Sequence, residues 1–229
     1  MLRRLIKASA VVVGVGLAVA ACSPVKMGAA AIVGNQRITI ATLDTEVTNL
    51  SQAAAQYPAS VSLTASQRTQ ATLTWLIRYQ IFEEMARQAG ITVSTAQGQK
   101  ALNLAVAAAE SAAAQQGLTN ATQTLILAAS GIPPNTSAEL GRYESIASQY
   151  LTIANGGTAP AAGSAAQTAA GNKLNTAECQ AAKALNIAVN PQFGQLDYNG
   201  YQVVTAPSPV TRTQGPVKSA SPVATAPAC

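Results

Sequence analysis

Residues 73–91, LTWLIRYQIFEEMARQAGI, are the stretch around which the rest of the chain is arranged. Apolar side chains recur there at steps of three and four residues, which predicts one buried stripe on an α-helix. The members of this stripe are Leu73, Leu76, Ile77, Ile81 and Met85. Trp75, Tyr79 and Phe82 form an aromatic stripe beside it. A helix with two apolar stripes buries a wide face, so these residues predict the centre of a helical domain.

Both ends of this helix carry recognisable signals. Thr64 is followed three residues later by Gln67, the capping-box pattern in which a hydroxyl and an amide satisfy free backbone N–H groups. Gly90 followed by Ile91 is typical of a left-handed helix end with a hydrophobic contact back to the last turn. The predicted helix therefore begins after Thr64 and ends at Gly90.

The composition narrows the classes of function. Charged residues make up 10% of the 229 residues and aromatic residues 4%, whereas an average soluble domain is roughly 25% charged. The net charge is +5, but Arg3, Arg4 and Lys7 lie in a segment that we expect to be removed. The remaining 11 basic residues face 9 acidic ones, which leaves a net charge of +2. This small charge gives no electrostatic reason to expect a nucleic-acid partner.

The amino-terminal residues read as an export signal. A basic start precedes an apolar run over residues 8–20, and this run is too short for a comfortable membrane span. Residues 19–22, Val-Ala-Ala-Cys, resemble the lipobox of bacterial lipoproteins. That resemblance implies cleavage before Cys22, lipid on its sulfur, and a protein anchored at the extracytoplasmic face of the cell membrane. The alternative is an ordinary secretory signal whose mature chain carries Cys22.

The segments on either side of the central helix show strand and helix patterns. Residues 31–41 place alternating apolar residues around Gly34 and Asn35, which predicts a short β-hairpin. Residues 42–57 predict a helix whose cap lies in the region of Thr42 and Asp44.

Three further helices are predicted after the central one. Ser94 with Gln97 forms a second capping box, which opens a long alanine-rich helix. Asn120 with Gln123 predicts the cap of a shorter helix. Residues 137–154 carry apolar side chains on one face and predict the third helix.

The last third of the chain contains fewer signals. Residues 155–172, NGGTAPAAGSAAQTAAGN, are low in complexity and predict a flexible linker. A helix over 175–186, capped by Asn175 and Glu178, and a short strand at 187–189 are predicted beyond it. The predicted layout is a signal peptide (1–21), a tether (22–30), a helical domain (31–154), a linker (155–172), a returning helix and strand (173–204) and a disordered, proline-rich tail (205–229).

The order of these elements resembles the amino-terminal chaperone domain of SurA- and PrsA-type foldases. Seven short motifs carry the resemblance: Val33-Gly34-Asn35 with Ile38-Thr39, Leu76-Ile77, Ala89-Gly90-Ile91 with Val93-Ser94, and Val189-Asn190-Pro191 with Phe193-Gly194. The resemblance covers residues 30–155 and 175–200. It implies a mainly α-helical domain with a minimal sheet of two or three strands, in which the last helix and strand return to pair with the first strand.

In that family the returning helix is usually preceded by a parvulin prolyl-isomerase domain, whereas here the corresponding place holds only residues 155–172. Parvulin-type sites use histidines, and this chain contains none. The absence of histidine also excludes Ser-His-Asp and Cys-His catalysis and histidine metal sites. Glu83 and Glu84 lie about 100° apart on a helix and do not converge as an acid–base pair. We therefore expect a protein that is not an enzyme and has no metal or cofactor.

Two cysteines follow Cys22. Cys179 and Cys229 can form a disulfide outside the cytoplasm, which would join the end of the tail to the last helix. The alternative is that Cys179 is a small core residue and Cys229 a free end.

The aromatic stripe is the candidate for binding. Trp75, Tyr79 and Phe82 are either core residues, as a chain this poor in aromatics requires, or part of an apolar groove for extended peptide, as the family resemblance implies. The first function class is therefore a chaperone-like lipoprotein that binds unfolded or exported polypeptides. The second is a structural lipoprotein of the cell envelope that docks one fixed protein partner.

Overall fold

The computed structural model describes residues 28–117 and 120–205. Within these residues, six α-helices and a small amount of β-structure follow one another. In order, the elements are β1 (Ala29–Val33), β2 (Gln36–Thr39), α1 (Ile40–Gln56), α2 (Ala65–Ala89), α3 (Thr95–Gln115), α4 (Gln123–Ala129), α5 (Ser137–Ala154), α6 (Ala165–Ala184), β3 (Ala188–Val189), β4 (Gln195–Asp197) and β5 (Gln202–Val204). The mainly helical fold predicted from the sequence is confirmed.

Helix α2 is the centre of the domain, as predicted. The Thr64 N–H donates to Gln67 Oε1 at 2.8 Å, and the Gln67 N–H donates to Thr64 Oγ1 at 3.3 Å, which completes the capping box. Gly90 has φ +66° and ends the helix, and the Ile91 N–H donates to Ala86 O at 2.8 Å. The apolar stripe of α2 is packed into the main core together with residues of β1, α1, α5 and α6.

A three-stranded sheet of order β2-β1-β3 closes the domain. Ala31 of β1 is opposite Ile38 of β2 on one side and opposite Val189 of β3 on the other, and both pairs are antiparallel. The Asn190 side chain reinforces this closure, because its Nδ2 donates to Ala29 O at 3.0 Å. The predicted minimal sheet is confirmed, but β1 begins at Ala29, so the last two residues of the predicted tether belong to the strand.

Two helix caps differ from their predicted positions. Helix α1 is capped by Thr39, whose Oγ1 accepts from the Thr42 N–H at 2.9 Å, and not by the Thr42/Asp44 region. Helix α4 is capped by Thr122, whose Oγ1 accepts from the Leu125 N–H at 3.2 Å, and not by Asn120. In both regions several capping residue types lie close together, and the position of the first helical turn decides which one acts.

The predicted flexible linker over 155–172 is wrong in its second half. Helix α6 begins at Ala165, ten residues before the predicted start, so that only residues 155–164 connect it to α5. Its cap is Ser164, whose Oγ accepts from the Gln167 N–H at 3.1 Å, while Gln167 Oε1 accepts from the Gly163 N–H at 2.6 Å. The alanines that made this segment look like a linker are also the best helix formers.

A second sheet of two strands, β4 and β5, was not predicted. The turn between them is fixed by Asp197, whose Oδ1 accepts from the Asn199 N–H at 2.9 Å. Tyr201 and Val203 are buried in the main core. The Val203 N–H also donates to Thr74 Oγ1 at 2.8 Å, which attaches the hairpin to α2.

Helices α3 and α5 cross in unusually close contact at two glycines. A Cβ atom built on Gly141 would lie 2.9 Å from the Gly98 carbonyl carbon and 3.0 Å from Leu102 Cβ. A Cβ on Gly98, by contrast, would lie 3.5 Å from Arg142 N, an ordinary contact. The crossing therefore requires glycine at position 141 and not at position 98.

The predictions for the two chain ends lie outside the described residues. These are the signal peptide, residues 22–27 with Cys22, and the tail from residue 206 with Cys229. Among the helices of the described part, none is both long enough and apolar enough to cross a bilayer.

Candidate functional site

Trp75 lies in the core between α2, α3, α4 and α5. It is 6% exposed and packs with Leu102, Leu127 and Leu140. Its Nε1 donates to Thr136 Oγ1 at 2.9 Å, which satisfies the indole in the interior. The indole N–H thus has an internal partner, and most of the ring is packed in the core.

Phe82 is also a core residue. It is 2% exposed, and its ring centroid lies 4.0 Å from that of Tyr143. Two of the three stripe aromatics are therefore interior, although an edge of Trp75 lines a second cleft, described below.

Tyr79, the third aromatic of the stripe, is half-buried and faces a cleft. The cleft has a volume of about 260 Å³ and lies between α2 and the amino-terminal turns of α3 and α5. Its lining combines the tyrosine ring with small, polar and aliphatic side chains. The lining residues are Tyr79, Val93, Ser94, Thr95, Gly98, Gln99, Leu102, Ser137, Ala138, Glu139 and Arg142. The cleft thus presents both apolar surface and hydrogen-bonding groups to solvent.

An ion pair holds one wall of the cleft in place. Arg142 Nη2 donates to Glu83 Oε2 at 2.9 Å, and a second bond joins Arg142 Nε to Glu83 Oε1. Arg142 Nη1 also donates to Val93 O at 3.1 Å, which links α5 to the α2–α3 connection. The Glu83 carboxylate raises the pKa of the Arg142 guanidinium, which stays charged.

Burial, followed by the nearby Glu83 carboxylate, raises the pKa of Tyr79 to about 12. The phenol is therefore protonated at all physiological pH values and acts as a hydrogen-bond donor and apolar surface. It is not available as a general base.

The two adjacent glutamates of α2 have separate structural partners. Glu83 is paired with Arg142, while Glu84 Oε1 accepts from Arg87 Nη2 at 2.6 Å and from Gln88 Nε2 at 2.7 Å. The hydrogen bonds from Arg87 lower the pKa of Glu84. In the part of the chain that the structure describes, no group of three acidic or cysteine side chains could hold a metal ion.

A second cleft, of about 420 Å³, contains charged residues that the sequence analysis missed. Arg78, Tyr143 and Glu144 line it, between α2 and α5. Glu178 of α6 lies behind them, buried in mid-helix, and is not the helix cap that its spacing from Asn175 predicted. Its place among the alanines of the buried α6 face was a usable signal, because an acid on an apolar face needs a partner.

Cys179 lies next to Glu178 on α6, is 9% exposed and takes part in a disulfide bond. Cys22 and Cys229 both lie outside the described residues. The pairing of Cys179 with Cys229 therefore stays a prediction.

Comparison with known proteins gives no relative. No family model matches the chain, and neither the curated proteins nor the solved structures contain a significant match.

Proposed function

We propose that this chain is a lipid-anchored, extracytoplasmic lipoprotein that binds unfolded or exported polypeptides without enzymatic activity. The cleft around Tyr79 is the proposed contact point. The observation that carries the proposal is the exposure of Tyr79: in a chain with one Trp, two Phe and six Tyr, this aromatic ring is left open to a cleft while its neighbours Trp75 and Phe82 are interior.

The chemistry of the cleft suits an extended backbone. The Tyr79 and Ser137 hydroxyls lie in the lining and offer donors and acceptors. The Gln99 amide, whose Nε2 donates to Asn103 Oδ1, adds its carbonyl oxygen and second N–H. The Ser94 hydroxyl, by contrast, is already hydrogen-bonded to Gln97. The Tyr79 ring and Leu102 offer apolar surface between them. A mixed lining with few charges permits contacts to many sequences, which a chaperone-like function requires. The order of elements that resembles the SurA and PrsA chaperone domain supports the same proposal.

Replacing Tyr79 by alanine is expected to weaken polypeptide binding about fivefold or more, because truncating an aromatic at an interface centre costs above 1 kcal/mol. The measurement is the concentration of the protein that halves the aggregation of an unfolded model client. The same variant should melt within a few degrees of the unaltered protein, since Tyr79 is only partly buried and borders a cleft.

Phe82→Ala is the matched control, because it removes a core ring from the same helix and should cost about 3–5 kcal/mol of unfolding free energy. If Tyr79→Ala melts like Phe82→Ala and protects clients normally per folded molecule, the cleft is not the binding site.

Strong weakening of binding by added salt would contradict a cleft of this composition, since a net charge of +2 gives little long-range attraction. Binding to one protein alone would favour the envelope-docking alternative.

Lipid attachment at Cys22 is a separate expectation. Cells that make the unaltered chain and are fed a labelled fatty acid should incorporate the label into it, and Cys22→Ala should not be labelled. Two acyl chains on one residue suffice for stable membrane anchoring, so the variant should also leave the membrane fraction. An unlabelled wild-type chain would show that the segment is an ordinary secretory signal.

A further inference from the structure

Helices α2, α5 and α6 meet at a cluster of charged residues. Arg78 extends from α2, Tyr143 and Glu144 from α5, and Glu178 from α6. Arg78 Nη2 donates to Tyr143 OH at 3.0 Å and lies 3.9 Å from Glu178 Oε1. Because α6 packs on both other helices, the cluster lies where α6 joins the rest of the domain.

The cluster is incompletely satisfied. Glu178 is 8% exposed, and its Oε1 has no hydrogen-bond partner within the described residues. Arg78 Nε is likewise buried without a partner there. The separation of 3.9 Å is too long for a direct hydrogen bond, so the arginine supplies attraction but does not replace the water that Glu178 loses on burial.

The charges of the cluster are unbalanced. One guanidinium faces two carboxylates, Glu144 and Glu178. The other titratable groups around them are Tyr143, whose pKa burial raises to about 12, and Tyr201 of the β4–β5 hairpin, whose pKa burial also raises. Both tyrosines are neutral, so whenever both carboxylates are ionised the cluster has one negative charge that Arg78 does not compensate.

The apolar contacts of α6 are made mainly by small side chains. Ala170, Cys179, Ala181 and Ala182 are buried, Leu174 and Ala177 pack against the main core, and alanine buries little apolar area. A single uncompensated charge therefore weighs heavily in the free energy that docks this helix.

We propose that the cluster of Arg78, Glu144 and Glu178 makes the docking of α6 sensitive to acidity, so that α6 packs more firmly on α2 and α5 when Glu144 and Glu178 take up protons.

The sign follows from the direction of the pKa shifts. Burial raises the pKa of Glu144 and of Glu178 above the ordinary value of 4.5, and the attraction to Arg78 only partly opposes this effect. The docked state therefore binds protons more tightly than the undocked state, and its stability rises as the pH falls through the raised pKa values towards 4.5. Each group contributes at most about a tenfold change in the docking equilibrium per pH unit in this window.

Hydrogen exchange of the purified full chain at pH 7.5 and pH 5.5, corrected for the intrinsic exchange rates, tests the proposal. Peptides from α6 should gain several-fold protection at the lower pH, while peptides from α3, which contributes no residue to the cluster, should change less. Glu178→Gln imitates the protonated acid, so its α6 peptides should already be protected at pH 7.5 and respond less to pH. Glu110→Gln, on the exposed face of α3, is the control and should behave like the unaltered protein.

Arg78→Met gives an independent readout. Without the guanidinium both carboxylates become still harder to ionise, so the loss of α6 protection should be larger at pH 7.5 than at pH 5.5. Equal losses at the two pH values would overturn the proposal. So would a Glu178→Gln protein that keeps the full pH response of the unaltered chain.

Discussion

A chain that ends at residue 155 is expected to lose its cooperative thermal transition. The truncation removes α6 and all three carboxy-terminal strands, and with them Ala181, Leu196, Tyr201 and Val203, which are buried in the main core. It also leaves β1 and β2 as an isolated hairpin, which is marginal in water at best. Circular dichroism should show residual helix that melts gradually and many degrees below the complete chain.

Complementation provides the control for this truncation. A separate peptide of residues 160–205, added to the truncated chain, should restore a sharp transition, because it supplies the missing core and strand β3. A truncated chain that melts like the complete one would show that residues 28–155 form an independent domain. This result would contradict the closure of the sheet by β3.

Gly141→Leu is expected to prevent α3 and α5 from packing together and to unfold most of the protein. Even the first carbon of the new side chain lies 2.9 Å from the carbonyl carbon of Gly98, and that neighbour is backbone that cannot turn aside. Overpacking costs about 1–3 kcal/mol in ordinary cores, and more where backbone has to move. Urea denaturation should give a midpoint near zero denaturant or no transition.

Two matched variants separate this clash from other effects. Gly171→Leu makes the same exchange inside α6, where nothing lies within 4 Å of the new carbon, and should be tolerated. Gly98→Ala adds a carbon with ordinary contacts on the other side of the crossing, and should stabilise by up to about 1 kcal/mol through helix propensity. If Gly171→Leu is as damaging as Gly141→Leu, the close helix crossing is not the cause.

The sequence predicted best those features that depend on neighbouring residues. The capping boxes at Thr64 and Ser94 and the glycine stop at Gly90 form within four residues of chain, and all three are present. Where two capping residues competed within a few positions, as at Thr39 and Thr42, local pattern alone did not select the correct one.

The first half of α6 and the β4–β5 hairpin were not predicted, although both have local sequence signals. Ser164 with Gln167 repeats the spacing of the two recognised capping boxes, but it stands in an alanine- and glycine-rich stretch that resembles a linker. Asn199-Gly200 between Leu196 and Val203 is a strong hairpin signal. Both elements are short or weakly apolar, so neither forms a long periodic pattern.

Only the tertiary structure shows which aromatics of the stripe are core residues and which one lines the cleft. Trp75, Tyr79 and Phe82 have the same helical spacing, yet Trp75 and Phe82 are covered by α5 while Tyr79 faces the gap where α3 and α5 begin. Arg78 and Glu178 lie close together although they are 100 positions apart in the sequence. The residues that flank either one do not indicate this contact. Such contacts depend on how the helices pack against one another, and the periodicity of a single helix carries no information about that packing.

Strand β1 is the middle strand of its sheet, between β2 and β3. Because β3 lies near the carboxy-terminal end of the described chain, the ribosome makes β1 long before it makes β3. Asn190 and Ala29, which share a hydrogen bond beside β3, are 161 residues apart. At translation rates of about 5–20 residues per second, a newly made β1 waits on the order of ten to thirty seconds for its second partner. Throughout that time the segment AAAIV has one unpaired edge of the kind that pairs with other chains. A protein proposed to shield unfolded polypeptides thus needs shielding itself while it is being synthesised.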